Sequence, residues 1–277
     1  MLFPLNQYSF FDYKGNIANY NGYDYDHGGR LIYMISSLVI ILVLVIIFRK
    51  AKKENVHKYI RIMGIVMTLL YIIKTTWESY YDITTGAGFN KGILPFDTCS
   101  ILMWAGLIGG FAKGKLKKAA DAWLATGGLV GGIANLLFLR ALLYYPFFTF
   151  AAFYSMLWHA VMVFTGLWLL TTNYVESNFK SILHAFVFHM AISVPVIIFD
   201  YTWLKGYDFM LYAEAGGIPV FDGLADKLID GGNAWLVPFM VIILYFASFC
   251  ILIYGSLGLK MLFRWVASKF KKENQTA

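Results

Sequence analysis

The chain has 277 residues, of which 59% are hydrophobic and 14% are charged, and its formal net charge is +7. Soluble globular domains contain about 25% charged residues and about 45–50% apolar ones, so this composition excludes an ordinary soluble domain. The basic residues lie in short clusters beside long apolar runs, which is typical of membrane-flanking charge and not of a nucleic-acid-binding surface. The sequence therefore predicts an all-α, polytopic membrane protein.

Seven apolar runs are long enough, at about 20 residues, to cross the roughly 30 Å hydrocarbon core of a bilayer as helices. In chain order they cover residues 31–48, 59–77, 93–111, 119–138, 146–170, 181–201 and 234–262. The polar N-terminus lacks the basic and small-residue features of a cleaved signal peptide. We therefore predict an extracellular segment (1–30), a seven-helix membrane domain (31–263) and a basic cytoplasmic tail (264–277).

The positions of Lys and Arg predict the orientation of the bundle. Most of them follow the first run (RKAKKENVHKYIR), follow the third run (KGKLKK), or lie in the C-terminal tail. These places are on one side of a seven-helix bundle, so the positive-inside rule predicts an external N-terminus and a cytoplasmic C-terminus. The acidic connector at 202–233 is then predicted to be extracellular.

Glycine pairs at 127–128 and 131–132 form a small-xxx-small pattern in the fourth run. Small residues at this spacing allow two helix backbones to approach closely in a membrane. We interpret the pattern mainly as a packing feature, with a ligand groove as the alternative. No internal repeat supports an inverted-repeat transporter.

Ionisable side chains in the predicted helices are concentrated in the outer half of the bilayer. Such groups are costly in lipid and tend to mark functional sites. Cys99 and His159 are the two that could act as a nucleophile and its general base, with a carboxylate orienting the imidazole. The same half also contains Lys74, Glu78, Asp97 and Asp200.

These residues also have structural interpretations. A membrane Cys is often only a small hydrophobic residue, and Asp97 is equally consistent with an ion pair to Lys74. His184 is predicted to lie at the inner interface, whereas the role of His189 stays open. Cys99 and Cys250 are predicted to lie in opposite halves of the bilayer as free thiols. Neither Cys has metal-ligand spacing, so we predict no metal and no soluble cofactor.

Three segments resemble a known family. They are ILPFDTCSI (93–101), which follows Trp77 and Glu78, then YPFFTFAAFYSMLWHAVMV (145–163), and FDYTWLKGYDFMLY (199–212). Together with the seven-helix arrangement, they resemble the YwaF-like bacterial integral membrane proteins. These proteins have a eukaryotic relative, transmembrane protein 164.

The resemblance implies a bacterial plasma-membrane protein with a specific activity. The eukaryotic relative is regarded as a phospholipid acyltransferase with a Cys nucleophile and a His partner, and the matching positions here are Cys99 and His159. The chain departs from the family at Asp97, where a His is common, and at Asp208, where an Asn is common.

Two functions remain open from the sequence. The first is an enzyme that transfers or removes an acyl chain on a phospholipid or lipid-linked substrate, with membrane lipids as its partners. Here Glu78, Asp97 or Asp200 would orient His159 or bind a headgroup. The second is a non-enzymatic transporter or lipid-binding protein that uses Asp97, Glu78 and Lys74 as the charges of a pocket. A structural or assembly subunit is a third interpretation.

Overall fold

The computed structural model describes residues 9–12, 27–86, 88, 91–138, 149–203, 209–210 and 219–276. All regular secondary structure in these ranges is helical. We label the α-helices in chain order as α1 (His27–Phe48), α2 (Lys53–Thr84), α3 (Ile101–Phe111), α4 (Gly114–Ala125), α5 (Gly127–Phe138), α6 (Phe150–Thr171), α7 (Phe179–Thr202), α8 (Pro219–Asp230) and α9 (Val237–Thr276).

Five helical segments in the described ranges are long and apolar enough to cross a membrane. Large apolar side chains such as Ile47 and Ile243 are exposed on these segments, as a lipid-facing surface requires. The prediction of an all-helical membrane bundle is therefore confirmed. The segments are Leu31–Phe48, Lys53–Thr84, Phe150–Thr171, Phe179–Thr202 and Ala234–Trp265.

The third predicted helix, 93–111, is shorter than expected. Its α-helical part, α3, begins only at Ile101, and 3₁₀ turns at Lys91–Ile93 and Thr98–Ser100 precede it. Pro95 lacks a backbone N–H and disfavours helical geometry in the residue before it, and Asp97 has an extended backbone. The prediction that Asp97 and Cys99 lie in the first two turns of an α-helix was therefore wrong.

The fourth predicted helix, 119–138, is two helices. α4 ends at Ala125, Thr126 leaves helical geometry (φ −124°, ψ −74°), and α5 begins at Gly127. A Cβ at Gly127 would overlap the indole nitrogen of Trp123, so the ring occupies the space that a side chain would need. Glycine is also a poor helix former, and the Thr126 hydroxyl donates to the Ala122 carbonyl oxygen (2.9 Å). Together these features account for the break.

The end of α1, the start of α4, the α6–α7 connection and the second half of α9 lie at one end of the bundle. The indole of Trp168 donates to a backbone carbonyl there, and two lysines donate to side chains of the α6–α7 connection. The contacts are Trp168 to Phe48 (2.8 Å), Lys117 to Tyr174 (2.7 Å) and Lys260 to Asn173 (2.7 Å). The basic clusters of the sequence lie at the α1–α2 and α3–α4 connections and in the C-terminal part of α9.

The N-terminal segment contacts the first turn of α6. The backbone N–H of Phe150 donates to the Phe10 carbonyl oxygen (2.6 Å), and the rings of Phe10 and Phe11 pack on that of Phe150. At the other end of the chain, α9 continues as a helix through the predicted tail boundary at 263/264 as far as Thr276.

Helices α2 and α3 touch through their backbones. A Cβ at Gly64 would lie 2.5 Å from the carbonyl carbon of Gly106, and a Cβ at Gly106 would lie 2.8 Å from the Gly64 Cα. One turn further along α3, a Cβ at Gly110 would lie 2.7 Å from the Cα of Arg61. Only glycine permits this crossing, because backbone atoms cannot move aside as a flexible side chain can. The sequence analysis did not identify this contact.

The substitution Gly64→Ala is expected to lower the free energy of unfolding by about 1–3 kcal/mol, because the methyl group overpacks a backbone contact. The measurement is SDS- or heat-induced unfolding of the purified protein. The matched control is Gly255→Ala on α9, where a Cβ meets nothing within 4 Å. Equal stability of Gly64→Ala and Gly255→Ala would show that the crossing is looser than described.

Candidate functional site

Cys99 and His159 lie within hydrogen-bond distance of each other. Cys99 is in the 3₁₀ turn Thr98–Ser100 that leads into α3, and His159 is near the middle of α6. The Cys99 Sγ lies 3.1 Å from the His159 Nε2. The imidazole is buried, with 6% of its residue exposed, and Cys99 is partly buried. The tertiary structure thus brings together two residues that are 60 positions apart in the chain.

The second ring nitrogen of His159 determines which atom carries the proton. His159 Nδ1 lies 2.7 Å from the backbone carbonyl oxygen of Ser155, one turn earlier on α6. A carbonyl oxygen only accepts hydrogen bonds, so in the neutral ring Nδ1 carries the hydrogen. The lone pair of Nε2 then faces the Cys99 thiol. The sequence predicted a carboxylate from Glu78, Asp97 or Asp200 as the orienting group, but the structure has a backbone carbonyl in that position.

Two side chains from other helices contact the turn that carries Cys99. The indole Nε1 of Trp158 donates to the Cys99 carbonyl oxygen (2.8 Å). The hydroxyls of Thr98 and Tyr245 are 2.8 Å apart and share a hydrogen bond. The turn is therefore bonded to both α6 and α9, which limits its movement relative to His159. The sequence analysis assigned no role at the site to Trp158.

Asn135 is a site residue that the sequence analysis missed. Its Nδ2 lies 3.4 Å from the Cys99 Sγ and 3.1 Å from the carbonyl oxygen of Gly131. The available signal was an amide side chain in an otherwise apolar stretch, GGLVGGIANLLF. Nothing in that stretch indicates that it would face Cys99, since the two residues are 36 positions apart.

The predicted packing role of the second glycine pair is confirmed at Gly132. A Cβ there would lie 2.7 Å from Val163 Cγ2, 2.9 Å from Met162 Cβ and 3.0 Å from the His159 carbonyl oxygen. The missing side chain lets α5 lie directly against the turn of α6 that carries His159. Asn135, three residues later on α5, reaches Cys99 from this position.

Lys74 and Glu78 form an ion pair on α2. The Lys74 Nζ lies 2.6 Å from the Glu78 Oε2, and Glu78 is buried. The same Nζ lies 5.7 Å from the centre of the Tyr154 ring, and Tyr154 packs on Trp158 with 5.2 Å between ring centres. The pair is thus connected to the Cys99 turn through two aromatic residues. A pairing of Lys74 with Asp97 stays a prediction.

Asp200 binds the segment that follows α7. Its Oδ2 accepts a hydrogen bond from the backbone N–H of Phe209 (3.3 Å), and its carboxylate is buried. The ring of Phe96, three residues before Cys99, packs on those of Phe199 and Phe209 at 5.5 and 5.6 Å. Phe209 therefore lies beside the loop that leads to Cys99. Asp208 lies outside the described residues.

His189 is completely buried on α7. Its Nδ1 accepts a hydrogen bond from the indole of Trp123 (3.3 Å), and its ring centre lies 4.2 Å from that of Tyr245. It therefore contributes to the site indirectly, because Tyr245 is the residue that bonds to Thr98. His184 is partly buried, and its interfacial role stays a prediction.

Both cysteines are free thiols, as the sequence predicted. In the part of the chain that the structure describes, no group of three or more His, Cys, Asp or Glu side chains is arranged to hold a metal ion.

A model of the TMEM164 family matches residues 23–257. The chain belongs to the TMEM164 family. The match includes every site residue from Lys74 to Asp200, so the family resemblance seen in the sequence is confirmed. The narrower YwaF-like bacterial assignment stays a prediction. No curated protein and no solved structure gives a significant match to the chain.

In this TMEM164 family member, the arrangement around Cys99 permits proton transfer from sulfur to nitrogen. Burial disfavours an isolated thiolate, so the thiol loses its proton most readily when Nε2 receives it directly. Cys99 also lies just before the N-terminus of α3, where the partial positive charge of the helix favours a developing negative charge. The thiol and Nε2 are therefore placed for a direct proton transfer.

The substitution Gly132→Ala is expected to slow alkylation of Cys99 by iodoacetamide about tenfold, because displacing α5 from α6 disturbs the groups around the thiol. The measurement is alkylation followed by mass spectrometry in a Cys250→Ser background. The matched control is Gly128→Ala on the same helix, where the nearest atom to a new Cβ is 3.7 Å away. If both variants react at the parent rate, the contact at Gly132 does not govern the site.

Proposed function

We propose that this protein is a membrane-embedded acyltransferase or acyl hydrolase that acts on a phospholipid or lipid-linked ester through Cys99 and His159. The observation that supports it is the contact of Cys99 Sγ with His159 Nε2 (3.1 Å), while Nδ1 faces the Ser155 carbonyl oxygen (2.7 Å). This arrangement leaves Nε2 free to accept the thiol proton.

The proposed reaction has two steps. As Sγ attacks the ester carbonyl carbon, its proton moves to Nε2, and the C–O bond to the alcohol then breaks. The leaving alkoxide takes the proton from Nε2, which gives a free alcohol and a thioester on Cys99. An acceptor hydroxyl or water then gives its proton to Nε2 and attacks the thioester, so that the acyl chain is transferred or hydrolysed and the thiol re-forms.

The charged residues near the site have a proposed role in binding the substrate headgroup. Lys74 and Glu78 form an ion pair, and Lys74 lies over the ring of Tyr154, which packs on Trp158. Trp158 in turn donates a hydrogen bond to the Cys99 carbonyl oxygen. Phosphate and ammonium groups of a phospholipid headgroup match these two charges. Membrane lipids are therefore the proposed partners, and the chemistry described needs no metal or soluble cofactor.

We also propose that the chain crosses the bacterial plasma membrane seven times, with α3 as one crossing and α4 together with α5 as another. The contacts among the end of α1, the start of α4, the α6–α7 connection and the second half of α9 support this count, because alternate connections must meet at one end. The basic residues near that end support a cytoplasmic location. The Cys99 turn then lies toward the outer leaflet.

The orientation predicts which residues an impermeant maleimide reaches in intact cells. In a background without Cys99 and Cys250, Ser9→Cys should react from outside, whereas Glu176→Cys in the α6–α7 connection should react only after the membrane is opened. Both native side chains are exposed, so accessibility alone does not separate them. The opposite labelling pattern would reverse the proposed orientation, and equal labelling would contradict the crossing count.

The catalytic proposal predicts an acyl-enzyme. Purified protein in nanodiscs with its native lipids should gain a fatty-acyl mass that hydroxylamine removes. The adduct should be absent in Cys99→Ser and unchanged in Cys250→Ser. His159→Ala should form it about 10²–10⁴ times more slowly, because the general base is lost. The measurement is a time course by intact-protein mass spectrometry.

If no lipid class acylates Cys99 and Cys99→Ser keeps the cellular role of the protein, the proposed enzyme is wrong. Loss of that role in a Lys74 or Glu78 variant would then favour the transport or lipid-binding interpretation.

A further inference from the structure

The amide group of Asn135 has two hydrogen-bond partners. Its Nδ2 lies 3.1 Å from the Gly131 carbonyl oxygen and 3.4 Å from the Cys99 Sγ. The carbonyl oxygen can only accept, which identifies the atom facing it as the NH₂ group and not the amide oxygen. An NH₂ group has two hydrogens, so one is available to Gly131 and the other to sulfur.

The hydrogen bond from Asn135 to the Gly131 carbonyl oxygen does not require a contact between Asn135 and the Cys99 sulfur. A side chain in an apolar helix could bond to the carbonyl oxygen four residues earlier without meeting another helix, as Thr68 does with Gly64 (2.7 Å). Asn135 instead contacts the same thiol as His159, since Sγ is 3.1 Å from Nε2 and 3.4 Å from Nδ2. One neighbour of the sulfur accepts its proton, and the other donates a hydrogen bond.

We propose that Asn135 is a second catalytic residue, which donates a hydrogen bond to the Cys99 thiolate and then to the oxyanion of the tetrahedral intermediate. The proposal rests on the acyl-transfer function above. When sulfur bonds to the ester carbon, the electron pair of the C=O bond moves to the oxygen, which lies one bond beyond that carbon. A donor that already contacts Sγ is close enough to donate a hydrogen bond to this oxygen when the negative charge moves there from sulfur.

The contact with Trp158 has a different consequence. Trp158 donates to the carbonyl oxygen of Cys99, so it holds the backbone of the turn and cannot stabilise charge on sulfur. Asn135, in contrast, is a neutral donor that contacts the reacting atom itself. It approaches from α5, whose position depends on the close packing at Gly132.

Two substitutions separate this role from a structural one. Asn135→Leu removes both hydrogen bonds. Asn135→Thr keeps a hydroxyl that can donate to the Gly131 carbonyl oxygen but removes the N–H that faces sulfur. Both are made in the Cys250→Ser background, and their melting temperatures are compared with that of the parent protein to confirm that they fold.

The first measurement is the single-turnover rate of acyl-enzyme formation in nanodiscs of native phospholipid. Loss of one oxyanion donor typically costs about 10²–10³-fold, and we expect a reduction of this size in both variants. The second measurement is the pH profile of Cys99 alkylation by iodoacetamide, which requires no lipid substrate. We expect its midpoint to move to higher pH in both variants, because the thiolate loses a donor.

The outcomes separate this proposal from the function on which it rests. Acylation at the parent rate in Asn135→Leu, or full recovery in Asn135→Thr, overturns the role of Asn135 and leaves the enzyme proposal standing. If the parent forms no acyl-enzyme, the enzyme proposal fails and the oxyanion role fails with it. The alkylation profile then decides whether Asn135 stabilises the thiolate: a shifted midpoint supports this, and an unchanged one overturns it.

Discussion

Gly132 lets α5 lie against the turn of α6 that carries His159, and the arrangement of the site depends on this contact. A side chain here would overlap atoms of Met162 and Val163. With α5 in place, Asn135 reaches the Cys99 sulfur, while Gly64 and Gly106 make a similar backbone contact between α2 and α3. In a membrane, lipid tails are as apolar as the helix surfaces, so association depends on close packing and hydrogen bonding and less on the hydrophobic effect.

Hydrogen bonds between helices then determine the position of the Cys99 turn. The turn is not α-helical, so its backbone groups need partners that a continuous helix would supply internally. Trp158 bonds to the carbonyl oxygen of Cys99, and Tyr245 bonds to Thr98. These bonds connect the turn to α6 and α9, and His189 packs against Tyr245 from α7. Irregular backbone at membrane depth is tolerated where protein surrounds it, and here it exposes a thiol to an imidazole.

One of the two interruptions in the predicted helices coincides with the site. The third predicted helix loses its first turns at the Pro95 to Ser100 segment, and the fourth breaks at Thr126. The local signals for both were present, namely a proline and a run of glycines. They were outweighed in the sequence analysis because apolar length is a stronger signal than a single residue. A short α3 places Cys99 at a helix N-terminus, where partial positive charge favours a developing thiolate.

The sequence by itself determined the membrane class, the helical bundle and the family resemblance, and it indicated Cys99 and His159 as candidate site residues. Composition, apolar runs and local motifs carry these features, and each depends on residues that are near one another in the chain. Only the tertiary structure decided that His159 Nε2 and Asn135 face the Cys99 thiol. His159 Nδ1 then faces the Ser155 carbonyl oxygen one turn earlier on the same helix, where the sequence predicted a carboxylate. Side-chain partners on different helices depend on helix rotation and on contacts such as that at Gly132. Hydrophobic patterns determine neither the rotation of a helix nor its contacts precisely enough to identify these partners.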